Sequence, residues 1–253
     1  MSGRDRSYER GGVKMAFTDT PGPDTQTFVL VHGIGMGRVV YAEVGEVLAR
    51  RGRVLALDLP GFGDSPEPGS AATLEETAEV VARFVRDEAH GPAVLVGHSM
   101  GTQIVSEVAL HHPELVEALV LIAPTVNRYE RTAARQAMRM AQDVAGDGPK
   151  VLLLGMWEYA KTSPIWFLNK LRFMLRHRLE RICPGIDTPT LVLRGETDRV
   201  CPRRWVSEVA EALPRSEMRE IPGRGHEAII KSPEPVASMI LDFIDGEGSV
   251  RSR

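Results

Sequence analysis

The segment Gly97-His98-Ser99-Met100-Gly101 constrains the fold of this chain most, because a strand, a sharp turn and a helix must meet there. The apolar, β-forming run Ala93–Val96 precedes it, and helical spacing of apolar residues follows it over residues 103–110. The segment fits G-x-S-x-G, in which a strand-to-helix turn exposes the serine Oγ atom. Its two glycines suit a turn whose backbone segments approach too closely for Cβ atoms. We call residues 97–101 the serine turn and predict that Ser99 is a nucleophile.

Strand-like and helix-like segments alternate on both sides of the serine turn. Continuous apolar runs such as Phe28–Val31 are typical of strands that are covered on both faces. Alternation of strands with helices predicts parallel strands joined by right-handed crossovers. The predicted strands are residues 13–17, 28–31, 54–57, 93–96, 119–122, 190–194 and 218–221, and the predicted helices are residues 40–51, 73–88, 103–110, 205–213 and 234–243.

The alternation stops between residues 125 and 184, where helix formers dominate and buried-strand runs are missing. We call residues 125–184 the insert and predict that they form a small helical cap. The core is then predicted to comprise residues 13–124 and 185–245. The polar ends, residues 1–12 and 246–253, are predicted to be flexible tails.

The composition is that of a soluble globular protein, with 43% hydrophobic and 26% charged residues in a chain of 253. A formal net charge of -3 gives no indication of a nucleic-acid partner. Cys183 and Cys201 make no disulfide framework and lack metal-ligand spacing, so we expect no metal. The first residues do not resemble a signal peptide, and no apolar run is long enough to span a membrane. These features favour a cytoplasmic protein without stable membrane insertion.

Four further motifs follow other predicted strands. The motifs are His32-Gly33, Asp58-Leu59-Pro60-Gly61-Phe62-Gly63-Asp64-Ser65, Gly195-Glu196-Thr197-Asp198 and Gly225-His226. With them and the serine turn, the chain resembles the α/β-hydrolase fold family, in particular its capped serine hydrolases, over residues 13–245. The resemblance implies an α/β fold in which helices flank a mostly parallel central sheet, and a carboxylesterase-like hydrolase.

The resemblance also implies a catalytic triad in the family order of serine, acid and histidine. His226 would be the general base for Ser99, and Asp198 would orient the imidazole. Glu196 and Asp187 are competing carboxylates. Asp187 precedes its strand, which is the wrong end of a parallel sheet for chemistry, and Glu196 lies within the turn.

By the same resemblance, the backbone N–H groups of Ile34 and Met100 form the oxyanion hole. Gly33 lets its loop approach the substrate closely. The glycines of residues 33–37 lack the G-x-G-x-x-G spacing of a dinucleotide loop, so no cofactor is expected.

The insert is rich in methionine, aromatic and basic residues. We predict that Trp166 and Phe167, just after Pro164, lie nearest to an apolar substrate pocket. The insert carries eleven basic and five acidic residues. This surplus has two interpretations: a solvated helix face, or a lid that favours anionic substrates.

The predicted function is hydrolysis of a small or medium apolar carboxylic ester, a small-molecule substrate, by a monomer or homodimer. A carbon–carbon bond hydrolase of dienoic acids, a thioesterase and a lactonase remain alternatives, because fold and triad do not determine the substrate. The carbon–carbon hydrolases have Asn before the nucleophile and Trp after the histidine, where this chain has His98 and Glu227. A receptor-like protein that binds a ligand with little turnover is an alternative of another class.

Overall fold

The computed structural model describes residues 3–23, 25–144 and 161–251, with the side chains of all of these except 144 and 247–251. The strands are β1 (Arg4–Arg10), β2 (Val13–Thr20), β3 (Thr27–Val31), β4 (Arg53–Leu57), β5 (Ala93–His98), β6 (Val116–Ile122), β7 (Thr190–Gly195) and β8 (Ser216–Ile221). They form one eight-stranded sheet in the order β1-β2-β4-β3-β5-β6-β7-β8. The β1/β2 and β2/β4 pairs are antiparallel and the others are parallel. The predicted fold class is confirmed.

Helices cover both faces of this sheet. They are α1 (Ala42–Leu48), α2 (Leu74–Glu88), α3 (Met100–His111), α4 (Ala133–Val144), α5 (Pro164–Arg176), α6 (Leu179–Ile182), α7 (Arg203–Ala212), α8 (Ala228–Lys231) and α9 (Pro233–Arg251). The buried side chains of α1, α8 and α9 share one apolar cluster with the sheet, and those of α2, α3 and α7 share the cluster on the opposite face. Within the described ranges, no helix is both long and apolar enough to cross a bilayer.

Helix α2 begins where the sequence predicted it. The Thr73 side chain accepts a hydrogen bond from the Glu76 N–H, and the Glu76 carboxylate accepts one from the Thr73 N–H. This capping box satisfies two N–H groups that the first helical turn leaves without partners. Phe84 and Val85 then face the core, and they are fully buried.

The structure corrects the predicted flexible tail at residues 1–12. Residues 4–10 form the edge strand β1, which pairs with β2 along its whole length. Arg6 lies 2.9 Å from the Asp19 carboxylate, and the Tyr8 ring packs edge-on against Phe84 at 5.2 Å. Tyr8 is the only buried residue of Arg4–Arg10, so the other side chains of β1 are polar and its composition resembles that of a loop.

The structure also corrects the predicted tail at residues 246–253 in its described part, because α9 continues to Arg251, and residues 252–253 lie outside the described residues. The apolar face of α9, which includes Val236, Ile240 and Phe243, packs into the cluster around α1. Once this face fixes the helix, each further residue adds a backbone hydrogen bond at little cost. The helix therefore extends past Phe243, where the sequence predicted its end, and past Gly246, where the predicted tail begins.

The described part of the insert is mainly helical from residue 133 onward and is attached to the core by buried polar contacts. It contains α4, α5 and α6, whereas its residues 145–160, which include Lys150, Leu152–Leu154, Met156 and Trp157, lie outside the described residues. The ammonium group of Lys170 on α5 donates to the Ala72 carbonyl at 2.7 Å and to the Thr77 hydroxyl at 3.0 Å. Burial lowers the pKa of Lys170 to about 8.

Candidate active site

The serine turn has the geometry that its sequence predicted. Ser99 joins β5 to α3 with φ 51° and ψ -118°, a left-handed conformation that is unfavourable for a residue with a Cβ atom. A Cβ atom on Gly101 would overlap the Val31 carbonyl oxygen, and one on Gly97 would overlap the Gly101 carbonyl. The neighbouring backbone therefore permits only glycine at both positions, and it holds Ser99 at the N-terminus of α3.

Three side chains that are far apart in sequence form one hydrogen-bonded chain. His226 follows β8 and Asp198 follows β7, so both lie at the carboxyl end of the parallel sheet beside Ser99. The Nε2 atom of His226 lies 3.1 Å from the Ser99 Oγ atom, and its Nδ1 atom lies 3.0 Å from Asp198 Oδ2. Asp198 Oδ1 accepts hydrogen bonds from the backbone N–H groups of Val200 and Cys201, both at 2.8 Å. The structure thus brings together the three residues of the predicted triad.

Burial and hydrogen bonding shift the ionisation of this chain. Burial opposes the charged imidazolium, but the adjacent Asp198 carboxylate outweighs it and raises the pKa of His226 well above its ordinary value. Burial likewise opposes the charged form of Asp198, but His226 and the two backbone donors lower the pKa of that carboxyl. Asp198 therefore holds the ring with Nδ1 protonated, so that the Nε2 atom faces Ser99.

The competing carboxylates lie elsewhere. Glu196 is exposed and its Oε2 atom accepts a hydrogen bond from the Gly223 N–H at 2.8 Å. Asp187 is exposed before β7, at the opposite end of that strand from Asp198.

The loop after β3 lies directly against the serine turn. The Nδ1–H of His32 donates to the Gly33 carbonyl at 2.7 Å, and its Nε2 atom accepts from the Leu59 N–H at 3.0 Å. Burial lowers the pKa of His32, which favours the neutral ring that can make both bonds. A Cβ atom on Gly33 would lie 3.0 Å from the Ser99 Cβ atom. Gly33 and the neighbouring Ile34 therefore lie beside Ser99.

A mainly apolar cavity of about 390 Å³ opens at Ser99. Helices α4 and α5 of the insert supply most of its wall. The lining residues are Ile34, Ser99, Thr125, Ala133, Gln136, Ala137, Met140, Ala141, Phe167, Leu171, Met174 and Val200.

The two residues predicted to lie nearest to the pocket have different positions. Phe167 lines the cavity. The Trp166 indole instead packs against Gly61 and donates its Nε1–H to the Pro60 carbonyl at 3.2 Å. Trp166 therefore attaches the insert to the loop after β4, and its predicted place in the cavity wall is corrected.

Sequence reasoning missed three side chains that contact the His226 loop. The Nε2–H of His98 donates to the His226 carbonyl at 3.1 Å, and burial lowers the pKa of His98 to about 3, so that this ring stays neutral. The Cys201 thiol lies 3.9 Å from His226 Nδ1, and burial raises its pKa to about 12. Asp143 on α4 accepts a hydrogen bond from the His226 N–H at 2.6 Å. Adjacency to Ser99 could have drawn attention to His98, whereas Asp143 carries no sequence signal.

Two groups of potential metal ligands occur among the described residues. The first, made of Asp198, Cys201 and His226, is part of the chain of hydrogen bonds already described. The second comprises Glu75, Glu107 and His177, of which the last two are hydrogen-bonded to each other at 2.7 Å. That bond joins the end of α5 to α3, so it also attaches the insert to the core.

Several basic side chains of the insert lie within ion-pair distance of carboxylates. Two of these carboxylates, Glu208 and Asp64, belong to the core, so their pairs offset part of the insert's positive charge. The pairs are Arg128–Glu208 at 3.0 Å, Arg131–Glu180 at 2.6 Å, Arg139–Glu130 at 2.6 Å and Lys161–Asp64 at 3.2 Å.

Comparison with known families decides how this site is classified. The sequence profile of the alpha/beta hydrolase family matches residues 28–239, which is most of the chain. The chain belongs to the alpha/beta hydrolase family. The family predicted from the motifs, and with it the enzyme class of hydrolase, is confirmed.

This α/β hydrolase is similar along most of its length to characterised relatives. It is 28% identical to the pimeloyl-[acyl-carrier protein] methyl ester esterase of Vibrio vulnificus, over 89% of this chain and 96% of the relative. It is 26% identical to the 2-hydroxy-6-oxo-6-(2'-aminophenyl)hexa-2,4-dienoic acid hydrolase of Metapseudomonas resinovorans, over 97% and 92%. The crystal structure of a bacterial membrane phospholipase A superposes with a TM-score of 0.83 at 26% identity, over 97% of this chain and 86% of that one.

Proposed function

We propose that this α/β hydrolase is a serine esterase that cleaves carboxylic esters of small or medium apolar substrates. The observation that carries the proposal is the hydrogen-bonded chain from Asp198 through His226 to Ser99, at the edge of an apolar cavity. A nucleophile, a base and an orienting carboxylate in this order are the requirements for acyl transfer.

The proposed reaction passes through an acyl-enzyme. Ser99 Oγ attacks the ester carbonyl carbon while His226 Nε2 takes the hydroxyl proton. The backbone N–H groups of Ile34 and Met100 stabilise the tetrahedral oxyanion, which then collapses and expels the alcohol with the proton returned from His226. A water molecule, activated by the same imidazole, attacks the acyl-enzyme and releases the acid.

The cavity supports a limit on substrate size. Its volume of about 390 Å³ lies near the lower end for small-molecule sites, and most of its lining is apolar. Each acyl CH₂ that becomes buried contributes up to ~0.8 kcal/mol until the cavity is full. We expect kcat/KM to rise from acetyl to short or medium acyl chains and then to fall.

The names of the relatives support ester hydrolysis and also keep one alternative open. The Vibrio relative is named a methyl ester esterase, and the Metapseudomonas relative is named a dienoic acid hydrolase. His98 and Glu227 stand where carbon–carbon hydrolases carry Asn and Trp, which favours the ester reaction. A cytoplasmic location and a monomeric or homodimeric state stay predictions.

The test is hydrolysis of p-nitrophenyl esters from acetate to palmitate, with a 2-hydroxy-6-oxo-dienoic acid assayed in parallel. We expect turnover of the esters with a maximum at short or medium chain length, and little turnover of the dienoic acid. Faster cleavage of the dienoic acid would identify a carbon–carbon hydrolase. Binding of esters without turnover would support the receptor-like alternative and refute the proposal.

A further inference from the structure

One carboxylate of the insert contacts the backbone of both loops that carry the proposed base and its orienting acid. Asp143 lies near the end of α4 and is 8% exposed. Its Oδ2 atom accepts from the His226 N–H at 2.6 Å, and its Oδ1 atom accepts from the Arg199 N–H at 3.1 Å. Arg199 directly follows Asp198. A single side chain thus joins the loop after β7, the loop after β8 and the insert.

The residue before His226 fits this arrangement. A Cβ atom on Gly225 would lie 2.5 Å from Asp143 Oδ2, and the three heavy atoms nearest to it all belong to the Asp143 carboxylate. Any larger residue would push that carboxylate away from the His226 N–H. Glycine at position 225 is therefore matched to a carboxylate at position 143.

The electrostatic surroundings of His226 give the Asp143 charge a measurable role. The facing titratable groups are Asp198, Cys201, His98, Asp143 and the buried Glu227 next along the chain. Cys201 and His98 are neutral at pH 7, because their pKa values are about 12 and about 3. Burial raises the pKa of the Asp143 carboxyl, but the two backbone donors and the nearby His226 favour its charged form, so we expect its negative charge to add to that of Asp198 near the imidazole.

We propose that Asp143 is a positioning residue through which the insert holds His226 and Asp198 in register with Ser99. The proposal rests on the proposed esterase function. Two charge-assisted hydrogen bonds to the backbone fix both loops relative to α4, so the insert and the catalytic geometry form a single unit. The insert then contributes to the reaction by fixing the loops of His226 and Asp198, as well as by enclosing the substrate.

The first test is Asp143→Asn, compared with Glu180→Gln as a matched control. Asn keeps the size but points an NH₂ group at one of the two backbone donors. Glu180 pairs with Arg131 inside the insert at 2.6 Å and has no part in the His226 loop, so its variant should leave the activity unchanged. We expect Asp143→Asn to lower kcat about tenfold, with KM changed less than twofold.

A second readout separates positioning from a general structural role. Loss of a nearby negative charge destabilises the imidazolium, so the pKa of His226 measured by NMR should fall by about 0.5 or more in Asp143→Asn. The acid limb of kcat/KM should move to lower pH by the same amount. Glu180→Gln should change neither the pKa of His226 nor the acid limb of kcat/KM. An unchanged kcat and pKa in Asp143→Asn would overturn the proposal, as would an activity loss that merely follows a loss of thermal stability.

Gly225→Ala provides an independent route if Asp143→Asn does not fold. Its methyl group displaces the carboxylate, so it should reproduce the loss in kcat. In an Asp143→Ala background, Gly225→Ala should lower kcat little further, because the carboxylate that the added methyl group would displace is absent. Additive losses would contradict the proposal. Absence of wild-type ester hydrolysis would refute the proposed function instead, and the pKa of His226 in the variants would still decide the role of Asp143.

Discussion

The two walls of the cavity are built on different principles. The core wall presents Ser99, and behind it His226 and Asp198 continue a chain in which each side chain has a defined hydrogen-bond partner. The insert wall is mainly apolar, and residues such as Met140 and Phe167 contribute surface and volume there. In the proposed esterase, the chemistry depends on a few distances, whereas substrate recognition depends on how much of the cavity is filled. Changes in the core wall should alter kcat by orders of magnitude, and changes in the insert wall should shift specificity several-fold.

Replacement of the nucleophile should have the largest effect. Ser99→Ala removes the attacking oxygen from the core wall but leaves the backbone of the serine turn and the packing in place. We expect ester hydrolysis to fall by about 10⁴-fold or more, with the melting temperature little changed. Steady-state assays measure the rate of ester hydrolysis, and thermal unfolding measures the melting temperature. Residual activity within tenfold of wild type would show that Ser99 is not the nucleophile.

The next effect distinguishes two carboxylates that lie two residues apart. Asp198→Asn places an amide beside His226 Nδ1 and favours the wrong imidazole tautomer, so we expect kcat to fall by about 10³–10⁴-fold. Glu196→Gln is the matched control, because this carboxylate is exposed and accepts its hydrogen bond from the Gly223 N–H. It should change kcat less than threefold. Equal losses in the two variants would mean that the orienting acid was assigned wrongly.

A smaller effect is expected in the insert wall. Phe167→Ala enlarges the cavity, so the acyl chain length with the highest kcat/KM should increase, with about a fourfold change in preference for each additional CH₂ that becomes buried. Leu168→Ala is the control, because Leu168 is 61% exposed on the same helix. A chain-length profile identical to that of wild type would remove Phe167 from the substrate site.

Salt should have the smallest effect. Because several basic residues of the insert are paired with carboxylates, neutral and carboxylated esters should both change less than threefold in kcat/KM between 0.01 M and 0.15 M salt. The Debye length falls from ~30 Å to ~8 Å over this range. A tenfold drop that is confined to carboxylated esters would instead show that the insert steers anionic substrates.

The sequence predicted the core wall better than the insert wall for a physical reason. The serine turn requires glycines, a strand and a helix at fixed spacing, and this pattern is visible in the residues themselves. Trp166 and Phe167 are neighbours in sequence but about 100° apart around α5, so that only helix phase decides which one reaches the cavity. Asp143 binds backbone N–H groups, which every loop residue except proline offers. The backbone groups that donate to Asp143 therefore cannot be recognised from the side chains in the sequence.

The most direct test of Ser99 as a nucleophile activated by His226 is to react the protein at several pH values with an alkyl phosphonate ester that modifies activated serines. Peptide mass spectrometry then locates the adduct. We expect one adduct, on Ser99, because in the proposed mechanism His226 activates this oxygen alone. Since the pKa of His226 is raised, the rate of modification should fall as the pH decreases, with a midpoint above the ordinary histidine value of about 6.5. An adduct on another residue, or a rate on Ser99 that does not change between about pH 5 and pH 8, would contradict the account.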